Sequence, residues 1–378
     1  MTERGDATVA LKRGPIDGWL LVVAILLILV GEVMVFNTTY FYSEKRFDQP
    51  FRFVLKHQIA LVLGAGALFV VSSLPSTVYR RFVYPLLAAA FVGLSIVFVP
   101  GVTHGGVRRW IALGPLNFQP SELAKGAIAL YLAHSLTRKA EIISDFTFGV
   151  LPHLLIVGSA VGLIVLEPDL GGAAVISLLL FALLSVSDAR KKHLALLLGC
   201  GAILLALAIV AAPYRMQRVI SFLSPQENKQ TTGYQLNQSI IAVGTGQLTG
   251  VGLGESRQKM SFLPEAHTDF IFAVISEETG LVGAVSVVLL FVLLGVRGLR
   301  IAAHHPHPFG SLLAFGCTFL LVGQALLNMA VVLGLLPTKG LPLPFVSYGG
   351  SALLMAMVYT GVLLSLSREA WRENFTRA

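Results

Sequence analysis

In the stretch FLPEAHTDFIFAVISEETG, residues 262–280, a polar loop carrying Glu265, His267 and Asp269 runs directly into an apolar segment, and Glu277 and Glu278 follow about two turns inside it. Ionisable groups at or below a membrane surface are costly, and they persist where they pair or do chemistry. A carboxylate or imidazole so placed can take a proton from a hydroxyl. The complementary half of such a reaction, charge that stabilises an anionic leaving group, needs cations on the same face.

The cations lie in HGGVRRWIALGPLNFQPSELAK. There Arg108 and Arg109 flank the interfacial aromatic Trp110, and Pro120 to Glu122 open a helix that carries Lys125. Glu122 and Lys125 are three apart and share a helix face. They read either as an internal ion pair or as a pair that also touches a ligand. The arginines read either as interfacial anchors or as forked donors for phosphate. On an outer leaflet, where positive charge is not needed for orientation, phosphate is preferred, and a pyrophosphate-bearing lipid would fit. A further cation, Lys339, stands among Pro337, Pro342, Pro344, Gly340, Gly349 and Gly350 in GLLPTKGLPLPFVSYGGS. Breakers at membrane depth are tolerated where the backbone is buried in protein or borders a cavity, so a re-entrant segment beside a polar cleft is expected.

The elements that must hold these residues are apolar helices. Of 378 residues, 55% are hydrophobic and 13% charged, with a mean hydropathy of +0.77. That composition excludes a soluble domain, and runs of 17 residues or more exclude a barrel. The fold class expected is an all-α polytopic membrane protein of about ten spans: 18–36, 58–74, 82–99, 120–136, 150–166, 169–187, 193–212, 270–296, 309–335 and 348–366. The first is too long for a cleaved signal and reads as a retained anchor. Residues 1–17 form a cytoplasmic tail, 18–366 a single transmembrane domain and 367–378 a second cytoplasmic tail.

Both termini are placed inside because fifteen Lys and Arg fall on inner segments against twelve on outer ones. Five of those twelve sit in the one long outer loop, 213–269, between spans 7 and 8, where charge counts for little. The net charge of +8 is spread through short loops with no basic stripe, so orientation rather than nucleic acid explains it.

Other motifs read more plainly. Asp169 in LEPDLGGA is placed to cap the next helix. His304, His305 and His307 read as solvated connectors without the carboxylate or thiol that a metal site would add. Cys200 and Cys317 read as small buried hydrophobes. Glycines 244, 246, 250, 252 and 254 match neither G-x-G-x-x-G nor a Walker pattern and follow no strand. Tyr234–Val243 reads as an amphipathic helix on the bilayer. No internal repeat marks an inverted-repeat transporter.

RRWIALGPLNFQPSELAK, PDLG, GYQLNQSIIAVGTGQLTGVGLGESRQK, LPEAHTDFIFAVISEETGLVG and LPTKGLPLPFVSYGGS together resemble, collinearly across nearly the whole chain, the SEDS family of bacterial cell-wall polymerases (shape, elongation, division and sporulation). The SRQK and LPTKGLPLPF wording is closer to its division members than to its elongation members. The resemblance implies a peptidoglycan glycosyltransferase that extends glycan strands from lipid II outside the cytoplasmic membrane, at the division septum. Its implied partners are a class B penicillin-binding protein and other division-complex membrane proteins. It implies Asp269 as the catalytic carboxylate, with Arg109, Glu122 and Lys125 at motif positions.

Substrate contacts are expected from these and from Arg108, His267, Lys339, Ser347 and Tyr348. The sequence specifies no cofactor; a divalent cation, Mg or Mn, with Asp269 as its ligand is an alternative to Asp269 as base. His267 is a second candidate base. Near a helix N-terminus and several cations, Asp269 is expected to have a low pKa. Ser276, Thr279, Glu167 and Ala352 depart from the residues usual in the family, at positions that carry packing more than chemistry. A transporter of lipid-linked oligosaccharide is the competing class, and an elongation-type polymerase the competing member.

Overall fold

The computed structural model describes residues 14–101, 109–114, 116–223 and 233–376. Arg108 and most of the expected N-terminal tail lie outside them. Fourteen helices are seen among the described residues: α1 Gly18–Phe47, α2 Arg52–Ser73, α3 Ser76–Ile96, α4 Pro120–Arg138, α5 Leu151–Leu166, α6 Leu170–Val186, α7 Lys191–Val210, α8 Pro213–Leu223, α9 Tyr234–Thr245, α10 Gln258–Ser261, α11 Ile271–His304, α12 Pro308–Thr318, α13 Gln324–Val332 and α14 Gly350–Thr376. A π-helical turn, Phe319–Gly323, joins α12 to α13.

Every apolar segment expected to span falls on helix, nine of them on one helix each and 309–335 on α12, the π-helical turn and α13 together. Among the described residues seven stretches are long and apolar enough to cross a membrane, from Gly18–Tyr40 in α1 to Gly350–Ala370 in α14. The helices that fall short are α3, α4 and α6, for visible reasons. Arg80 and Arg81 sit in α3, α4 carries Glu122, Lys125 and Arg138, and α6 has 17 residues. The chain is therefore multi-pass and helical, with one addition: a hairpin of β1 Ile111–Leu113 and β2 Leu116–Phe118, paired antiparallel with Ile111 opposite Phe118, precedes α4.

Helix α4 is the axis of the bundle. It packs against α3, α6, α12 and α14 and buries Ala124, Ala127, Ala129 and Ala133, whose small side chains let neighbours approach closely. Because α4 faces protein rather than lipid, it tolerates polar residues that a lipid-facing helix could not. At the opposite extreme, α7 buries only His193 among its residues. Cys200, on α7, is exposed rather than buried, while Cys317 is buried as expected. His305 is not a solvated connector either: it is buried and lies 3.3 Å from Glu369 Oε2, joining the α11–α12 connection to α14.

Three short helices, α8, α9 and α10, occupy the expected long loop. α9 packs on α11 and α13, with Ser239 Oγ donating to Val332 O, so its buried face meets protein rather than lipid.

The glycine-rich segment after α9 acts on α11. At Gly280 (φ 65°, ψ −162°) α11 breaks. The carbonyls of Glu277 and Glu278 accept from Val251 N and Gly252 N, while Leu281 N and Val282 N donate to Gln247 O and Leu248 O. A loop is thus spliced into the helix ladder, and every displaced partner is replaced. A Cβ on Gly280 would meet the backbone of Gly250 and stand 2.6 Å from Leu248 C. Gly280→Ala combines that clash with a backbone region open only to glycine, and is expected to cost at least about 1–3 kcal/mol, read as a lowered denaturation midpoint; an unchanged midpoint would show that the splice is not rigid.

Glu277 and Glu278, charges inside an expected span, serve the same splice. Glu278 accepts from Lys259 Nζ at 2.7 Å, from Asn37 Nδ2 and from Gly254 N at 3.1 Å, and Glu277 accepts from Arg257 N at 3.1 Å and from Ser256 Oγ. Buried carboxylates this fully satisfied hold a loop in place.

Candidate active site

The loop 262–269 ends one residue before the helical start of α11. Phe270 is the N-cap and gives no side-chain cap bond. Asp269 therefore caps nothing, and Thr268 Oγ instead donates to Glu265 Oε2 at 3.0 Å. Asp269 is fixed through its main chain: its carbonyl accepts from Asn328 Nδ2 at 2.7 Å, and the same amide donates to Leu341 O at 2.6 Å. Its Oδ2 lies against Gly340, where an added Cβ would come within 3.1 Å.

Around Asp269 is a cleft of about 250 Å³, lined by Arg109, Asp169, Arg215, Arg218, Glu265 and Lys339 together with Leu205 and Ile209 of α7. Four cations share it with three carboxylates. None of the four is ion-paired among the described residues, whose ion pairs all lie elsewhere.

The arginines are aimed by carbonyls. Arg109 donates through Nε to Glu167 O at 2.8 Å and through Nη2 to Pro168 O; Arg218 Nη1 donates to Thr338 O at 3.3 Å. Lys339 has no partner among the described residues, and burial lowers its pKa. Asp169 caps α6 as expected, accepting from Gly172 N at 2.9 Å through Oδ1, while Oδ2 takes Ser121 Oγ at 3.2 Å and Gln119 Nε2 at 3.3 Å.

The expected low pKa of Asp269 is reversed. Burial first, then the carboxylates of Glu265 and Asp169, push it up to about 7, against the pull of Arg218 and Arg109. A carboxylate poised there is a competent base near neutral pH. The neighbouring Glu167 is raised to about 8, by burial first and then by Asp169, against Arg109.

Among the described residues no three His, Cys, Asp or Glu side chains are grouped to hold a metal ion. Asp169 is engaged by its cap and Glu265 by Thr268.

Of the residues expected on substrate, the fold brings Arg109, Lys339 and Asp269 together. Ser347 is buried behind the cleft, donating to Thr268 O and accepting from Leu343 N at 2.8 Å, and so stitches the 337–349 segment to the loop. Tyr348 N donates to His267 O at 2.9 Å. The side chains of Tyr348 and His267 turn away from the cleft into an aromatic group with Tyr42 and Phe53. Burial pulls the His267 imidazole below its usual value, against Glu265.

Glu122 and Lys125 lie beneath the site, 5% and 1% exposed. Lys125 Nζ donates to Glu122 Oε1 at 2.8 Å and to Gln324 Oε1 at 2.6 Å, and Gln324 Nε2 donates to Pro342 O at 2.9 Å. The pair is a strut under the proline-glycine segment.

Sequence reasoning missed Asp169 as a member of the site and also missed Arg215 and Arg218; it singles out Glu265 beside Asp269 but assigns it no contact. The arginines were legible in one respect: they are three apart on PYRMQRVISFL, which presents them on one helix face.

Fold and site together define a class: a multi-pass helical membrane protein with an unpaired cluster of cations around one raised carboxylate. The particular family follows from comparison. The chain belongs to the FtsW/RodA/SpoVE family of cell cycle proteins, the SEDS family, whose pattern it matches over residues 18–372. It is 38% identical over 351 residues to "Probable peptidoglycan glycosyltransferase FtsW" of Geobacter sulfurreducens, covering 92% of this chain and 94% of that one. It is 42% identical over 379 residues to the protein of the same description in Alcanivorax borkumensis, covering 98% and 97%. Among solved structures it superposes, with a TM-score of 0.78, 30% identity and coverage of 94% and 99%, on a chain described under "Structural coordination of polymerization and crosslinking by a peptidoglycan synthase complex".

Proposed function

We propose that this protein is a peptidoglycan glycosyltransferase that polymerises lipid II on the outer face of the cytoplasmic membrane, at the division septum. All ten apolar segments span in this reading, α3, α4 and α6 included, with both termini inside and 213–269 outside. The observation that carries it is the set of unpaired cations, Arg109, Arg215, Arg218 and Lys339, gathered around Asp269. Cations held by neutral carbonyls and left without a carboxylate partner among the described residues, in a partly buried cleft, call for an anionic ligand, and the apolar residues of α7 at its edge suit one that is lipid-linked.

In the reaction the acceptor hydroxyl oxygen attacks the anomeric carbon of the donor sugar. The bond from that carbon to the pyrophosphate oxygen breaks, and its electron pair leaves with the pyrophosphate. Arg218 and Lys339 stabilise the charge that develops there, while Arg109 holds the Glu167–Pro168 turn against it. The hydroxyl proton passes to Asp269, whose raised pKa matches that task. The names of the FtsW relatives support septal over elongation-type synthesis, and the solved complex supports a class B penicillin-binding protein as partner.

The direct test gives purified protein in proteoliposomes labelled lipid II. Glycan polymer is the expected product. Transfer of lipid II between leaflets with no polymer would place the protein among transporters instead.

A further inference from the structure

Helix α13 begins where the π-helical turn Phe319–Gly323 ends. The extra residue held in such a turn rotates the face of the helix that follows by about 100°. Here the face carries Gln324 and Asn328, four residues apart and so one above the other. Both amides are buried against the catalytic loop and the proline-glycine segment, at 4% and 2% exposed. Gln324 uses both ends of its amide, joining Lys125 Nζ to Pro342 O.

Asn328 uses only one end. Its Nδ2 donates to Asp269 O at 2.7 Å and to Leu341 O at 2.6 Å. Two carbonyl acceptors decide which end of the amide is nitrogen. Oδ1 therefore points elsewhere, and it has no hydrogen-bond partner among the described residues. A bare acceptor at this depth is destabilising, so a side chain present for stability alone gains nothing from it.

The amide and the catalytic carboxyl meet the same short stretch of backbone. Asp269 Oδ2 lies against Gly340, and Asn328 bonds the carbonyl of the next residue, Leu341. The charged groups around Asp269 all share the cleft: Glu265 on its own loop, Asp169 at the head of α6, Arg109 ahead of β1, Arg215 and Arg218 on α8, and Lys339. From α13 comes no charge, only the Asn328 amide. Once Asp269 has taken the acceptor's proton it is a neutral acid, and a buried carboxyl O–H needs an acceptor.

We propose that Asn328 is a positioning residue with two tasks in the proton transfer. Its N–H groups hold the Asp269 main chain at a fixed distance from the segment that bears Lys339, and its Oδ1 accepts a hydrogen bond from the Asp269 carboxyl when that group is protonated. No proton passes to Asn328. The inference rests on the reading of Asp269 as the base. A hydrogen bond to the neutral form favours that form, so Asn328 acts on Asp269 in the same direction as burial and against Arg218.

Two measurements on the purified full chain test this, one of them independent of turnover. Infrared difference spectra across the titration report the C=O stretch of the protonated Asp269 carboxyl, recognised as the band missing from Asp269→Asn. In Asn328→Leu that band should move to higher frequency, the sign of a carboxyl that has lost its hydrogen bond, and should appear at a pH roughly one unit lower than in wild type. Single-turnover polymerisation of lipid II by the same variant should fall about 10²-fold, with its pH inflection lowered to match. Binding of inorganic pyrophosphate, which depends on the cations, stays as in wild type.

Asn328→Ser is smaller, keeps one donor and withdraws the acceptor, so it gives the same shifts if Asn328→Leu does not fold. A band and an inflection identical to wild type in the folded variant overturn the proposal, as does a loss of rate accompanied only by a lowered denaturation midpoint. A wild type that makes no polymer, but whose Asp269 band shifts when Asn328 is replaced, defeats the polymerase reading and leaves the pairing of Asn328 with Asp269 standing. Polymer from the wild type with an unmoved band in the variants defeats the pairing alone.

Discussion

Asp269→Asn is expected to lower lipid II polymerisation by about 10²–10⁴-fold, the range associated with loss of a general base, without unfolding the protein. The side chain makes no cap bond, and its main-chain carbonyl, held by Asn328, is unaffected by the change. An amide also removes the cost of ionising a carboxyl between Glu265 and Asp169, so the variant should denature no earlier than wild type above pH 7. Loss of activity with retained or improved stability separates a catalytic carboxylate from a structural one. Near-normal strand synthesis by the folded variant would remove Asp269 from the mechanism.

Lys125→Met is expected to destabilise the protein by about 3–5 kcal/mol, because it leaves the Glu122 carboxylate buried without its cation. Glu122→Gln on the same background restores much of that loss, since both charges are then gone and only hydrogen bonds must be made up. Thermal denaturation of the two singles and the double gives the coupling directly. If Lys125 contacted substrate instead, Lys125→Met would raise KM at little cost in stability. Because the strut continues through Gln324 to Pro342, the single variant should also loosen the segment that presents Lys339.

Much of the fold was legible because apolar helices advertise themselves. All ten segments expected to span are helical, and α4 stood out by the polar residues it carries. What the sequence concealed depends on convergence. The hairpin strands are three residues each, too short for a period-2 pattern. The break at Gly280 is made by glycines some thirty residues earlier in the chain, so their spacing resembled a failed nucleotide loop rather than a splice.

In the site, His267 and Asp269 are two residues apart and looked like rival bases. The irregular loop sends one into an aromatic group and the other into the cation cleft. The pKa of Asp269 was misjudged because its cations are visible along the chain, whereas its burial and the approach of Glu265 and Asp169 are products of the fold. Arg215 and Arg218 counted only as loop charge until α8 placed them beside Lys339.

The central claim is that Asp269 accepts the acceptor's proton within the field of those cations. The pH profile of single-turnover polymerisation tests it most directly. Burial and the neighbouring carboxylates raise the folded-state pKa, so the active, ionised form is lost as pH falls through about 7, and the rate should fall with it. Arg218 opposes that rise, so Arg218→Met should move the inflection to higher pH. A wild-type profile that is flat from about pH 6 to 8.5, or an inflection unmoved by Arg218→Met, would contradict the assignment.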